Sequence, residues 1–193
     1  MEDEFDLDFG GSASCYVDEQ SKRIIQIPIT GIIGAAETYN DILYTLRSAN
    51  PQDEVIFLIN SGGGHVEGAL HIVSGIYNCA AHSIKAVITG TCGSAATYIF
   101  FACSQWEIPP YATMLLHTTS YGTEGMTEHI YQVAEHEKEH LDLTSNLFYE
   151  GFLTKGEITQ LKRGHQYYFL GAEIEQRLNK RIKLLTKKHK EVV

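Results

Sequence analysis

The sequence has few cysteines and prolines and no long apolar run. It contains four cysteines and four prolines among 193 residues, and the cysteines form neither a CxxC pair nor the spacing of a zinc site. Unpatterned cysteines are typical of free thiols in a reducing compartment. The most apolar stretch, Cys92–Cys103, holds Gly, Ser and Thr and is shorter than the roughly 18 apolar residues of a membrane span. We therefore expect a cytoplasmic protein that does not cross a membrane.

Basic residues are scarce in the first nine-tenths of the chain. The formal net charge is −9, and residues 1–176 hold eight bases against 23 acids, or −15. An acidic body repels phosphate backbones, so no nucleic-acid partner is expected. The start, MEDEFDLDFGG, is acidic and has no targeting pattern. We predict a mobile acidic segment over residues 1–20 and a single domain over 21–193.

Apolar runs and helical patterns alternate along the rest of the chain. Strands are predicted at Arg23–Ile33, Glu54–Asn60, Ser83–Gly90, Ala112–Thr119 and Gln166–Leu170. Helices are predicted at Ala36–Ala49, His65–Ala80, Gly93–Cys103, Met126–Phe152 and Ala172–Lys190. This alternation indicates an α/β fold built from βαβ units, and the wholly apolar second strand indicates burial on both faces. The polar stretch within Met126–Phe152 indicates a helix that projects from the body and meets another subunit.

Three strand ends carry residues that can take part in chemistry. The segment Ile59–Gly64 reads INSGGG, which is either a tight turn or a backbone that approaches a ligand closely. Ser94 lies at the predicted start of an apolar helix, as a helix cap or as a nucleophile. His117 ends a strand, as a rim residue or as a base. Ser94 and His117 form a nucleophile–base pair only if the fold brings them within about 3 Å.

Together these pieces resemble the proteolytic subunit of the Clp protease (ClpP), a family of serine peptidases with a crotonase-like α/β fold. The matching segments are INSGGG, TGTCGSAATYIFFAC and PPYATMLLHTTSYGTEG. The resemblance implies that Ser94 is the nucleophile, that His117 is the general base, and that the N–H groups of Gly63 and Ala95 form the oxyanion hole. It implies a spiral of βαβ units with a projecting handle helix within about 123–155. It implies neither a cofactor nor a metal.

The resemblance also implies partners. Subunits of the family form homo-oligomers of stacked heptameric rings, and a separate AAA+ unfoldase ATPase of the Clp type feeds polypeptide substrates into the chamber. The function implied is a serine endopeptidase that cleaves unfolded polypeptides inside a ring. By the same analogy, the acidic N-terminal residues line the axial pore.

The chain departs from the family at the third catalytic position. The segment KRGHQYYFLGAE at Lys162–Glu173 covers the site of the family's aspartate and contains none. His165 or Gln166 occupies that position, and we hypothesise that His165 accepts the N–H of His117 and orients its ring. Loss of an orienting carboxylate can cost about 10⁴ in rate. A catalytically weak or inactive ring subunit is therefore the alternative interpretation.

Two further interpretations belong to other classes. His136–His140 reads HEKEH and fits the H-E-x-x-H zinc pattern, but its charged neighbours indicate a solvated face and not an apolar zinc pocket. An acyl-CoA enzyme of the crotonase superfamily would share the oxyanion geometry without needing Ser94 and His117. The peptidase is the interpretation that uses all three strand ends.

Overall fold

The strands predicted from apolar runs lie side by side in one sheet. A computed structural model describes residues 14–17, 23–120, 122 and 124–192 of the chain. The strands are β1 Ser14–Val17, β2 Arg23–Ile33, β3 Glu54–Gly64, β4 Ser83–Gly93, β5 Gln105–Glu107, β6 Thr113–Leu116 and β7 Tyr167–Leu170. The helices are a 3₁₀ turn Ala36–Tyr39, α1 Asn40–Arg47, α2 Val66–Tyr77, α3 Ala96–Ala102, α4 Thr127–Tyr149, α5 Lys155–Lys162 and α6 Gly171–Val192.

The sheet order is β1-β2-β3-β4-β6-β7, and β5 pairs with β4. Strands β2, β3, β4 and β6 run parallel to one another, whereas β1 pairs antiparallel with β2 and β7 pairs antiparallel with β6 at the two ends of the row. The carboxyl ends of the parallel strands therefore meet at one edge, where ligands bind in sheets of this kind. The predicted α/β architecture with a mostly parallel sheet is confirmed.

One face of the sheet is buried more completely than the other. Val55, Phe57 and Ile59 of β3 are fully buried in the same apolar cluster as α2 and α3, whereas Ile56 and Leu58 keep partial exposure. The prediction that this strand is buried on both faces is therefore wrong for the chain taken singly. The physical reason is that α2 and α3 pack on the face of the sheet that carries Val55 and Phe57. Ile56 and Leu58 point to the opposite face, which is covered less completely.

Helix α4 is the longest element, with 23 residues. It ends at Tyr149 and not at Phe152 as predicted, and its buried residues are confined to the last two turns: Thr144, Ser145, Phe148 and Tyr149. The turns before them are mostly exposed. Such a burial pattern is that of a helix anchored at its C-terminal end.

The structure adds elements that periodicity did not predict. Strands β1 and β5 are too short for a pattern, and α5 has a weakly periodic face. Thr154 and Glu157 nevertheless form a capping box at the start of α5, a signal readable in the sequence. The predicted mobile segment 1–20 lies outside the described residues, except that Ser14–Val17 form β1. Within the described part of the chain, every helix is too short or too polar to cross a membrane.

Candidate active site

The glycine segment brings the end of β3 against the end of β4. Gly63 has a φ of +103° and Gly64 a φ of +150°, which are values that favour glycine. A Cβ atom on Gly63 would lie 2.5 Å from Cβ of Ser94. The close approach of the two strand ends therefore requires glycine at position 63.

Ser94 has a left-handed backbone with a φ of +51°, and it is the only non-glycine residue with positive φ among those the structure describes. Its N–H donates to the carbonyl oxygen of Leu115 over 2.8 Å. Helix α3 begins at Ala96 and not at Gly93 as predicted, because a left-handed residue cannot continue a right-handed helix. Backbone strain of this kind persists only where the surroundings hold it, and it clusters at functional sites.

His117 follows the last residue of β6, the strand next to β4. Since Gly93 pairs with Leu115 in the parallel register, Ser94 and His117 leave the sheet side by side. Nδ1 of His117 lies 2.6 Å from the carbonyl oxygen of Thr118. A carbonyl oxygen only accepts, so in the neutral ring this contact assigns the proton to Nδ1 and leaves Nε2 as an acceptor. That is the tautomer that a general base needs.

Ser94 and His117 line one open cavity of about 420 Å³. The other lining residues come from the ends of β2 and β3, the start of α2 and the segment after β6: Ile32, Gly62, Gly63, Gly64, Val66, Thr119 and Ser120. Both side chains are partly exposed, and no direct hydrogen bond joins them among the described residues. The fold therefore unites the nucleophile and the base predicted from the sequence in one cavity, with room for a substrate.

The two predicted oxyanion donors differ in their present partners. The N–H of Gly63 donates to Oγ of Ser61 over 3.1 Å, and that hydroxyl donates in turn to the carbonyl oxygen of Gly31 over 2.6 Å. Ala95 is the N-cap of α3, so its N–H has no intrahelical acceptor. Gly63 lines the cavity of Ser94 and His117, whereas Ala95 is 1% exposed and is not among the lining residues. The Gly63 amide can meet an oxyanion only when it leaves or shares the Ser61 contact.

His165 is exposed and does not line this cavity. Its ring packs against Tyr167 with centroids 4.6 Å apart. Leu116 pairs with Tyr167, so continuing the antiparallel register sets Gln166, and not His165, opposite His117. Oε1 of Gln166 accepts from the Tyr168 hydroxyl over 2.8 Å. The structure therefore does not bring His165 to His117.

Two features of the site lay beyond sequence reasoning. The carbonyl of Thr118 holds Nδ1 of His117, and a backbone acceptor leaves no side-chain signal in a sequence. The left-handed conformation of Ser94 is likewise invisible, because a glycine would normally mark it. No neighbouring residue type predicts the Thr118 contact of His117 or the left-handed conformation of Ser94.

The nearby cysteine is not a competing nucleophile. Cys92 lies two residues before Ser94 and is fully buried. Burial raises the pKa of the Cys92 thiol far above its ordinary value, because a thiolate is poorly solvated in an apolar core. The thiol therefore stays protonated, which leaves Ser94 as the candidate nucleophile at this strand end.

The H-E-x-x-H histidines lie beside the site and not in it. His136 and His140 line a neighbouring cavity of about 240 Å³ together with Glu67 and Glu137. Among the described residues, no group of three or more His, Cys, Asp or Glu side chains is arranged to hold a metal ion. The structure thus offers no positive support for the zinc interpretation.

The comparison with known families points in the same direction as the site. A model of the Clp protease family matches residues 14–155, a range that includes Gly63, Ser94 and His117 but ends before His165. No curated protein matches the chain. The family is one of crotonase-like α/β folds, in agreement with the sheet and helices described above. Because the matched range covers most of its length, the chain belongs to the Clp protease family.

Proposed function

We propose that this chain is a serine endopeptidase subunit of a Clp-type ATP-dependent protease. Its substrates are unfolded polypeptides, cleaved inside a chamber formed by stacked heptameric rings of the chain. A separate AAA+ unfoldase of the Clp type delivers them, and the peptidase itself uses neither metal nor cofactor. Membership in the Clp protease family supports the ring and the unfoldase as general properties.

The proposed reaction uses three residues that line the cavity, Ser94, His117 and Gly63, together with the backbone amide of Ala95, the residue after Ser94. Nε2 of His117 accepts the hydroxyl proton of Ser94 while Oγ attacks the carbonyl carbon of the scissile peptide bond. The Ala95 amide, joined by that of Gly63, donates to the resulting oxyanion. His117 then passes the proton to the leaving amine, and the peptide carbon–nitrogen bond breaks. Water hydrolyses the acyl-enzyme by the same steps in reverse order.

The observation that carries this proposal is the shared cavity of Ser94 and His117. Ser94 is held in a strained conformation at one strand end, and His117 at the next has its Nδ1 engaged by Thr118. The Thr118 carbonyl orients the imidazole but brings no full negative charge. An aspartate would stabilise the imidazolium more strongly, so we expect turnover below that of a complete triad.

A second candidate is a weak or inactive ring subunit in a mixed assembly. The contact that favours it is the His117 Nδ1 bond to a backbone carbonyl, in place of a carboxylate. The engagement of the Gly63 amide by Ser61 also favours it. Both candidates share the fold and the ring, and they differ in the reactivity of Ser94.

A fluorophosphonate probe separates the two candidates. The peptidase proposal expects covalent labelling of the assembled chain at Ser94, loss of labelling in Ser94→Ala, and strong slowing in His117→Ala. Peptide mass analysis assigns the modified residue, and cleavage of a fluorogenic peptide gives the turnover. An assembled wild-type chain that remains unlabelled and cleaves nothing would contradict the peptidase proposal and favour the inactive subunit.

The third member proposed from the sequence has its own test. If His165 orients His117 in the working enzyme, His165→Ala lowers peptide turnover without lowering the thermal unfolding temperature, since the side chain is exposed. Unchanged turnover would remove His165 from the mechanism and leave the Thr118 carbonyl as the partner of Nδ1.

A further inference from the structure

A buried chain of hydroxyl groups connects the end of α4 to the carbonyl of Ser94. Oγ1 of Thr97 donates to the Ser94 carbonyl oxygen over 2.6 Å. The hydroxyl of Tyr149 lies 2.9 Å from the same Oγ1. Thr97 has 0% and Tyr149 1% of its surface exposed, so bulk water does not compete for these bonds.

The direction of the protons follows from the acceptor at one end. A carbonyl oxygen cannot donate, so the single proton of the Thr97 hydroxyl points to Ser94. Tyr149 must then donate its own proton to Oγ1 of Thr97. The Ser94 carbonyl receives a second bond, from the N–H of Thr97 over 2.9 Å. In a dry interior, successive bonds of this kind polarise and strengthen one another.

The phenol of Tyr149 is held in place and remains a donor. Its ring packs edge-on against Phe101 with centroids 5.8 Å apart, and it lies 6.0 Å from the ring of Tyr98. Burial raises the pKa of Tyr149 well above its ordinary value, so the hydroxyl keeps its proton near neutral pH. Removing the hydroxyl alone leaves these aromatic contacts in place.

We propose that Tyr149 is a positioning residue, which acts through Thr97 to hold Ser94 in its left-handed, reactive conformation. The proposal rests on the proposed function, since it assigns a purpose to the strain at the nucleophile. It also makes the last turn of α4 part of the catalytic support, because Tyr149 is the final residue of that helix. Movement of α4 would then reach the nucleophile through two hydrogen bonds.

The test compares two variants, each of which removes one buried tyrosine hydroxyl and keeps the aromatic ring. Tyr149→Phe breaks the hydroxyl chain. Tyr39→Phe is the matched control, because Tyr39 is also buried and its hydroxyl accepts one bond, from the N–H of Gly34 over 2.8 Å. The assembled full-length chains are compared by the rate of fluorophosphonate labelling at Ser94, by thermal unfolding, and by amide hydrogen exchange in a peptide that covers residues 90–98.

The proposal expects a selective effect of Tyr149→Phe. Exchange in residues 90–98 becomes faster and labelling of Ser94 slows by about tenfold or more, since small misplacements of reacting groups carry large rate effects. Tyr39→Phe lowers the unfolding temperature about as much as Tyr149→Phe does. It changes neither the exchange in residues 90–98 nor the rate of labelling at Ser94. Thr97→Val, which removes the middle hydroxyl, behaves like Tyr149→Phe, and Thr97→Ser, which keeps it, restores both labelling and exchange towards the wild-type values.

Two outcomes separate this inference from the proposed function. Wild-type labelling and exchange in Tyr149→Phe would overturn the positioning role while leaving the peptidase intact. Faster exchange in Tyr149→Phe, in a chain whose wild type is not labelled at all, would support the link between Tyr149 and Ser94 and contradict the peptidase proposal.

Discussion

At the scale of single residues, the site depends on two strained strand ends packed against each other. Ser94 needs a left-handed backbone, and Gly63 supplies the space beside it. Neither condition is met by local sequence preference. The neighbouring strand β6 holds Ser94 through the bond from the Ser94 N–H to Leu115. The Gly63 N–H donates within its own strand to Ser61, whose hydroxyl donates to the carbonyl of Gly31 in the neighbouring strand β2.

The requirement for space at position 63 can be tested against a glycine of similar conformation. Gly63→Ala combines a positive φ with a Cβ only 2.5 Å from that of Ser94. Gly164 has a φ of +94°, and a Cβ added there would meet nothing within 4 Å, so Gly164→Ala reports backbone strain alone. We expect Gly164→Ala to lower the free energy of unfolding by about 1–2 kcal/mol. Overlap should add about 1–3 kcal/mol in Gly63→Ala.

Denaturant unfolding of both variants measures these differences, and fluorophosphonate labelling follows the site. Labelling should fall in Gly63→Ala well beyond what its stability loss explains. Equal stability losses in the two variants would show that the contact between positions 63 and 94 is looser than described.

At the scale of elements, α5 and α6 are joined by one carboxylate. Glu157 accepts from the Thr154 N–H over 2.7 Å in the capping box of α5. It also accepts two bonds from Arg177 of α6, over 2.9 and 3.1 Å. The Arg177 guanidinium lies 4.4 Å from the ring centroid of Phe169 in β7. This cluster fixes the C-terminal elements to the sheet edge beside β6.

Protonation of Glu157 should weaken this connection in acid. The Arg177 hydrogen bonds lower the pKa of Glu157 from 4.5 to about 2. A carboxylate whose pKa is depressed by folding stabilises the protein above its unfolded pKa and loses that effect as the pH falls towards the folded value. We therefore expect Glu157→Gln to lower the free energy of unfolding by about 1–3 kcal/mol near neutral pH.

That difference should shrink as the pH falls from about 5 to about 2, the window set by the two pKa values. Urea unfolding of both proteins across this range measures it. Glu173→Gln is the control, because Glu173 makes a single bond to Arg177 and is 46% exposed, so a smaller loss is expected. A Glu157→Gln difference that is constant with pH would contradict the depressed pKa.

At the scale of the whole molecule, the chain presents apolar side chains that its own fold leaves uncovered. Leu143 and Leu147 lie one turn apart on α4 and are 66% and 54% exposed. Their exposure fits a helix that packs against another subunit, as expected for a ring-forming Clp protease family member. One face of β3 is also partly exposed in the single chain, which likewise fits packing against another subunit.

Assembly provides a test at this scale. We expect native mass spectrometry to give a multiple of the 21.6 kDa chain mass, and Leu143→Glu to reduce the assembled mass while leaving the unfolding temperature of the subunit nearly unchanged. Tyr44→Glu is the control, since Tyr44 is 65% exposed on α1. Equal masses for both variants and the wild type would contradict a role for the exposed residues of α4 in assembly.

Local patterns in the sequence were sufficient for the order of the longer strands and helices and for the residues at the strand ends, but not for β1, β5 and α5. The alternation of apolar strands and helices predicts the parallel sheet, because strand and helix periods differ and each buries its own face. The placement of Ser94 and His117 after adjacent parallel strands follows from that order. The segment INSGGG left open whether its glycines form a tight turn or bring the backbone close to another group, and the structure shows the close approach of Gly63 to Ser94.

Tertiary structure alone decided the geometry that makes these residues a site. Three features of the site depend on groups that are neighbours in space or on backbone atoms. They are the left-handed conformation of Ser94, the contact of His117 with the Thr118 carbonyl, and the hydroxyl chain from Tyr149. Side-chain identity carries no record of such contacts. The register of β6 and β7 likewise decided that Gln166, and not His165, lies opposite His117. A one-residue shift in a strand pairing moves a side chain to the opposite face, and pattern alone does not resolve that shift.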